Sequence, residues 1–266
     1  MASFIGLSFD FANDSSHNYD VYLVNYGVQP APFTESAGSG TTIISDSVPR
    51  RAEQLFYGIK QDLTQQFTVT IGSDKPRSRA DIDRILGWLL TPRPERLHIN
   101  QPDMENYFYH GIFSDPQLTS VDGMPFGVQL TFNSMSPFAH SFPKIMELDI
   151  KRPETIVLNN IGDSLDYLCP TIEYKPTNIT QFLSLVNSSD GNRTFRMEFK
   201  PASNGAETIT IDNKNQIIQS SQGFGRQRFS CFNMNWFRLV RGTNEIEIIG
   251  NGLLKFGFSF AKRIGN

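Results

Sequence analysis

Cysteine is nearly missing from this chain of 266 residues: Cys169 and Cys231 are the two it has. A disulfide framework is excluded at that number. Both fall in the second half and could face each other, but buried free thiols in a reducing compartment are the expectation. Long apolar runs are missing as well. None approaches the ~18 residues that suit a bilayer span. The N-terminus has no charged start followed by an apolar run, so no secretion signal is expected. The N-x-S/T triplets opened by Asn13, Asn178, Asn187 and Asn192 would then stay unmodified. Charge is scarce: 19% of residues carry one, and the net is −3, which argues against a generic nucleic-acid binder. The scarcity is uneven. No Lys or Arg precedes Arg50, whereas Asp10, Asp14, Asp20, Glu35 and Asp46 do. After Gly223, seven basic residues face only Glu245 and Glu247.

Recognisable chemistry is also lacking. "GSGTT" (38–42) has no lysine to complete a phosphate loop, and no G-x-S-x-G elbow occurs. His17, His98, His110 and His140 are scattered, with no pair at a metal-presetting interval. "DNKNQ" (212–216) starts like a calcium loop, but Lys214 stands where an oxygen ligand belongs. Asp81 and Asp83 lie two apart on a helix and point to different sides. Lys75, Arg77, Arg79 and Arg84 could touch phosphates, yet without interleaved aromatics they read as a solvated face. Trp236, in "CFNMNWFRL", has apolar neighbours and reads as a core tryptophan rather than a sugar platform. No catalytic, cofactor-binding or metal-ligating residue is assigned, and no cofactor is expected.

What the chain does have is phenylalanine, 22 copies, and many short strand patterns. One stretch is helical. Ser78 is placed to cap it, Asp81 sits at the positive end of its dipole, and Ile82, Ile85, Leu86 and Leu89 form a stripe. Pro92 closes it at Thr91, and Glu95–Ile99 then reads as a strand. Further strands are expected at 19–27, 53–60, 65–73, 105–115 and 126–134, with an Asp-Gly hairpin turn in "VDGMP" (121–125). Residues 28–47 are rich in Pro, Ser and Gly and form a long loop or arm, with a short strand at Thr41–Ile44. The first domain is therefore α+β, a sheet with one helix. A boundary falls within 136–155, giving domains 1–141 and 142–266. Beyond it the pattern is strands only, at 165–174, 194–199, 207–213, 215–221, 237–242, 244–250 and 253–261. Such spacing describes a sandwich or barrel. The fold class is mainly β.

The order of these stretches resembles the distal tail proteins of long-tailed, non-contractile bacteriophages. "QQFTVTIGSDKPRSRADIDRILGWLLTPRPERLHINQPDMENYFYHGIFSD" (65–115) is similar to that family's strand, helix ending in Trp-Leu, strand and Tyr-rich strand. "GMPFGVQLTFNSMSPFAHS" (123–141) is similar to the close of its first domain. "LNNIGDSLDYLCPTIEY" (158–174) is similar to the turn and strand that open its second. "ETITIDNKNQIIQ" (207–219) resembles its central hairpin, and "LVRGTNEIEIIGNG" (239–252) its penultimate turn and strand.

The resemblance implies a structural virion protein of the siphophage tail tip. Residues 1–141 would form a homo-hexameric ring, with belt-like elements gripping the neighbour. Residues 142–266 would be a galectin-like β-sandwich. The ring would join the major tail tube protein to the tail-associated fibre or hub protein of the baseplate, with DNA passing through its channel without specific binding. It would be assembled in the bacterial host cytoplasm and need no membrane. An arm at 28–48 is expected to be required for ring closure, and the acidic first 49 residues to help keep the channel repulsive to DNA. Two rivals stand beside this reading. Carbohydrate binding for host-surface recognition would need the galectin sugar constellation, whose histidine is absent after residue 142; Asn192 and Arg193 are adjacent in a turn. A wall hydrolase would need a carboxylate pair or metal site in one cleft.

Overall fold

The strand patterns sort into two cores in the computed structural model, which describes residues 8–24, 41–61, 64–102, 104–177, 180–199 and 206–263. The chain divides into two compact units, Met1–His140 with Lys262–Asn266, and Ser141–Ala261.

The first unit contains β1 (Phe9–Phe11), β2 (Asp14–Ser15), β3 (Tyr22–Leu23), β4 (Thr41–Asp46), β5 (Leu55–Gln61), β6 (Gln66–Gly72), α1 (Arg79–Leu89), β7 (Glu95–Ile99), β8 (Tyr107–Val121), β9 (Met124–Ser134) and β10 (Ala139–Ser141). Seven strands are hydrogen-bonded in the order β2-β1-β7-β8-β9-β6-β3. The expected Asp-Gly turn joins β8 to β9: Asp122 and Gly123 both have positive φ, 49° and 76°, as that tight turn demands.

Helix α1 forms where its signals place it. The Ser78 hydroxyl accepts the Asp81 N–H and the Asp81 carboxylate accepts the Ser78 N–H, both at 3.2 Å, a reciprocal cap. These bonds hold the Asp81 carboxyl below its usual range. Ile82, Ile85 and Leu89 are buried with Trp88, which the stripe did not include. Trp88 lies between the rings of Tyr19 (4.4 Å, 4° between planes) and Phe9 (5.3 Å), and its Nε1–H donates to the Phe11 carbonyl at 2.9 Å. Side-chain stacking and one indole bond thus fasten the helix to the first strand. Ser78→Ala is expected to lower stability by about 1 kcal/mol, read as a reduced urea midpoint at unchanged slope.

The strand expected over 19–27 is shorter than its alternation implied, and its end at 25–27 lies outside the described residues. Its first residue, Tyr19, instead ends a 3-10 turn, Ser16–Tyr19, and the strand is Tyr22–Leu23. The Asp14 carboxylate collects Ser15 N–H (2.8 Å), Asn18 Nδ2 (2.6 Å) and Tyr19 Oη (3.0 Å). Such local side-chain bonds compete with the ladder and win here.

The second unit is a two-sheet sandwich. Its elements are β11 (Lys144–Ile150), β12 (Glu154–Asn160), β13 (Thr171–Pro176), β14 (Phe182–Asn187), β15 (Arg193–Glu198), β16 (Ile209–Asp212), β17 (Ile217–Ser220), α2 (Gly225–Ser230), β18 (Gly242–Ile249) and β19 (Gly252–Phe258). One sheet runs β11-β19-β13-β16-β17 and the other β12-β18-β14-β15, all pairs antiparallel. Alternate residues of both sheets, among them Tyr174, Leu185, Phe195, Ile211, Ile246 and Phe256, close on one core.

Three sequence readings change here. The second half is not strands only, because α2 interrupts it; six residues are too few to show a helical period. Residues 165–170 and 237–242 are not strands apart from their C-terminal overlap with β18; they meet in one bridge, Leu168 to Leu239, with two backbone bonds of 2.8 and 3.0 Å. Strands β11, β12 and β14 fall where the sequence reading placed a boundary, a turn or nothing. "LNN" (158–160) accordingly closes a strand rather than opening a turn.

The outer edge of β15 is closed by the chain itself. Glu198 N–H donates to Cys231 O, and Asn233 N–H to Arg196 O, both at 3.0 Å. The Asn233 amide then acts as a further peptide group, accepting from Arg196 N–H (3.1 Å) and donating to Thr194 O (2.8 Å). An edge finished this way offers no ladder to a stranger.

Candidate assembly surface

Strands β4 and β5 form a two-stranded sheet of their own. Ile43 opposes Ile59, Ile44 opposes Gly58 and Ser45 opposes Phe56, with a register shift after Ile44 that leaves Tyr57 as the extra residue. Cross-strand partners share a face, so Ile43, Ile59 and Phe56 lie on one side and Ile44 with Leu55 on the other. Both sides are largely uncovered: Ile43, Phe56 and Tyr57 are 65%, 67% and 63% exposed, and Ile44, Ile59 and Val48 are exposed too. The connector carries Arg50, at φ 70°, and Arg51, both exposed. A lone two-stranded hairpin is marginal in water, and burying one such side chain is worth about 1.5–3 kcal/mol. Laying these faces against another surface would add stability to the hairpin. The arm expected at 28–48 lies outside the described residues over 28–40, while 41–46 belongs to β4.

Several of the other singled-out residues are occupied structurally. Arg77 does not stand in a purely solvated face: its Nε donates to Ser73 Oγ at 2.8 Å and its guanidinium to the Asp20 carbonyl. Arg84 lies 5.1 Å over the Tyr19 ring. His98 Nδ1 is 3.5 Å from its cross-strand neighbour Asp10, and its Nε2 is 3.1 Å from Glu105 O. His140 Nε2 is 3.1 Å from Ser136 Oγ. In the loop at 212–216, the Asp212 carboxylate accepts Lys214 and Asn215 N–H and the Asn215 amide, which holds it below its usual pKa. Trp236 is half-buried and packs edge-on against Phe232 at 4.8 Å. Arg193 Nε donates to the Trp236 carbonyl at 3.1 Å. Cys169 and Cys231 are half-buried thiols outside any disulfide, and burial raises the pKa of Cys169. Among the described residues, no group of three or more His, Cys, Asp or Glu is placed to hold a metal. None of their helices is long and apolar enough to cross a membrane.

Two β-built units, one carrying an uncovered apolar hairpin, define a protein built for contacts with other chains. The comparisons agree. A model described as the phage tail protein N-terminal domain matches residues 4–136, and one described as the phage tail C-terminal domain matches residues 138–258. The chain belongs to this family of phage tail proteins. Its fold is similar to the crystal structure of the Dit protein (gp 19.1) of phage SPP1, described as a paradigm of the hub adsorption apparatus in phages that infect Gram-positive bacteria. The TM-score is 0.68 at 10% identity, over 96% of this chain and 99% of that one. It is also similar to chains of the phage P2 baseplate in its activated conformation, with Ca (TM-score 0.53, 8% identity, 96% and 97% covered) and with Sr (0.51, 9%, 95% and 97%). No curated protein matches the sequence. The resemblance drawn from the order of motifs is borne out: this is a tail component with the distal tail, baseplate-hub fold.

Proposed function

We propose that the chain forms the ring at the distal end of a siphophage tail, a homo-hexamer that joins the tail tube protein to the fibre or hub protein and lets DNA through. In this reading residues 1–141 build the ring and 142–266 form the outward, galectin-like module. Assembly takes place in the host cytoplasm. The observation that carries it is the β4–β5 hairpin, apolar on both sides and outside both cores. A heterologous contact of this kind, one patch gripping a different patch on the next copy, closes into a ring when its rotation does. The family and the Dit-like fold support the same role. The test is the molar mass of the purified chain by light scattering, with electron microscopy of tails. A hexamer, or a monomer that becomes a ring at the tail tip, is expected. A protein absent from the tail tip would overturn the reading.

A further inference from the structure

The two sheets of the second unit end in four edge strands, β15, β17, β11 and β12. Covering an edge, or charging it, keeps strands of other chains away, and three of the four are guarded in this manner. Asn233 and the Cys231 carbonyl close β15. Helix α2 lies against β17, so near that a Cβ at Gly225 would stand 3.2 Å from the Ile218 carbonyl. Strand β11 is charged along its outer side, where Glu147 pairs with Lys255 at 3.0 Å and Asp149 with Lys151 at 2.8 Å. Strand β12 has none of these devices. Among the described residues its one ladder partner is β18. From Thr155 to Asn160 it contains neither a charged residue nor a proline. Val157 is 62% exposed on the outer face, and Thr155 and Asn159 on either side of it are exposed too. On the inner face Ile156 packs against the core yet stays half-buried, so the core is unfinished along this flank.

The strand's own residues select its occupant. Two copies of β12 laid antiparallel about Val157 set Val157 against Val157, Ile156 against Leu158, Thr155 against Asn159 and Glu154 against Asn160. Every pair joins residues of one face, apolar meets apolar at the centre, and no like charges meet. Strand β11 run against itself would oppose Glu147 to Glu147, which is destabilising. We infer that β12 pairs with β12 of a second copy, so that the four-stranded sheets of two second units become one continuous sheet. Leu158 of one copy then covers Ile156 of the other, and the unpaired backbone groups of both edges find partners. The contact is twofold and isologous. Neighbours within a closed hexamer are related by a different rotation, so this pairing joins chains that are free or belong to separate rings. It stands independently of the ring reading above.

The test introduces single cysteines into the full chain and reads cross-linking under mild oxidation on non-reducing gels, with the native chain as background for Cys169 and Cys231. Val157→Cys is expected to yield a two-chain species, and Glu173→Cys, exposed on the other sheet, to yield none above background. Thr155→Cys and Asn159→Cys should each cross-link poorly alone and well when mixed, because the antiparallel register sets them opposite each other. Val157→Lys puts like charges face to face and should weaken the twofold association by about tenfold or more, read by sedimentation as loss of the doubled species, with thermal melts checking the fold. No cross-link at 157 above background, or equal cross-linking at 155, 157, 159 and 173, would overturn the inference. So would a doubled species that survives Val157→Lys, or β12 amides that gain exchange protection only in tails, since the occupant would then be another protein. Failure of the ring reading shows instead as a missing hexamer and leaves the cross-links in place.

Discussion

On the ring reading, deleting residues 41–61 is expected to leave a folded chain that no longer closes into rings. The hairpin adds nothing to either core, so its loss exposes no core residue and removes no strand of the main sheet. What it removes is the exposed apolar surface that the ring reading assigns to the neighbour. Ile43, Phe56 and Ile59 share one face; at about 1.5–3 kcal/mol per side chain, their burial is worth roughly 5–9 kcal/mol per contact before the cost of ordering the arm. Replacing the three by serine is therefore expected to weaken each contact by about three or more orders of magnitude, since every 1.4 kcal/mol is tenfold. A ring needs every contact to hold at once, so the loss of assembly should be complete. Circular dichroism should report an unchanged fold, light scattering a monomer at concentrations where the native chain assembles, and microscopy tails without the tip ring. A deletion protein that still runs as a hexamer would refute the role of this arm.

The sequence reveals such a hairpin only in part, for a physical reason. "EQLFYGIK" and Thr41–Ile44 are legible as strands because their residues favour extended backbone. Whether their apolar side chains meet a core or a neighbour is decided by tertiary partners, and neither periodicity nor composition records that. Helix α1 is legible because its signals are local: a reciprocal cap, a four-residue stripe and a terminating proline. The Asp122-Gly123 turn is legible for the same reason. The opposite holds for α2 and the edge of β15. A six-residue helix shows no period, Arg228 looks like a surface charge until Glu207 is found 21 residues before it, and Asn233 completes a strand edge with its side chain.

The Glu207–Arg228 pair yields the other large effect. Arg228 is wholly buried and Glu207 nearly so. Arg228 Nε donates to Glu207 Oε1 at 3.0 Å and Nη2 to Oε2 at 2.5 Å, while the Ser220 hydroxyl donates to Oε1 at 2.7 Å. The guanidinium also lies 4.9 Å from the Phe199 ring and 5.9 Å from Phe224. Helix α2 has no side-chain cap and one turn and a half of length, so this pair pins it to the chain entering β16. Removing one partner strands the other charge in an apolar interior, and Glu207→Gln or Arg228→Met should each lower stability by about 3–5 kcal/mol. Replacing both, as Glu207→Leu with Arg228→Met, should restore most of that loss, because no buried charge is then left unpaired and only the part-buried Ser220 hydroxyl loses an acceptor. The pH dependence separates a charge pair from mere packing. Burial by itself raises the Glu207 carboxyl, but the Arg228 and Ser220 bonds and the guanidinium charge outweigh it and hold it below its usual range. A carboxyl lowered by folding contributes stability that is fully present above its unfolded value, near 4.5. That stability is lost as pH falls through the folded value. Urea titrations from pH 7 down to about 3 should therefore show the native protein losing its advantage over the doubly apolar variant, the gap constant at neutral pH and narrowing once pH falls below the unfolded value near 4.5. A gap that stays constant with pH would mean that the pair acts through shape alone.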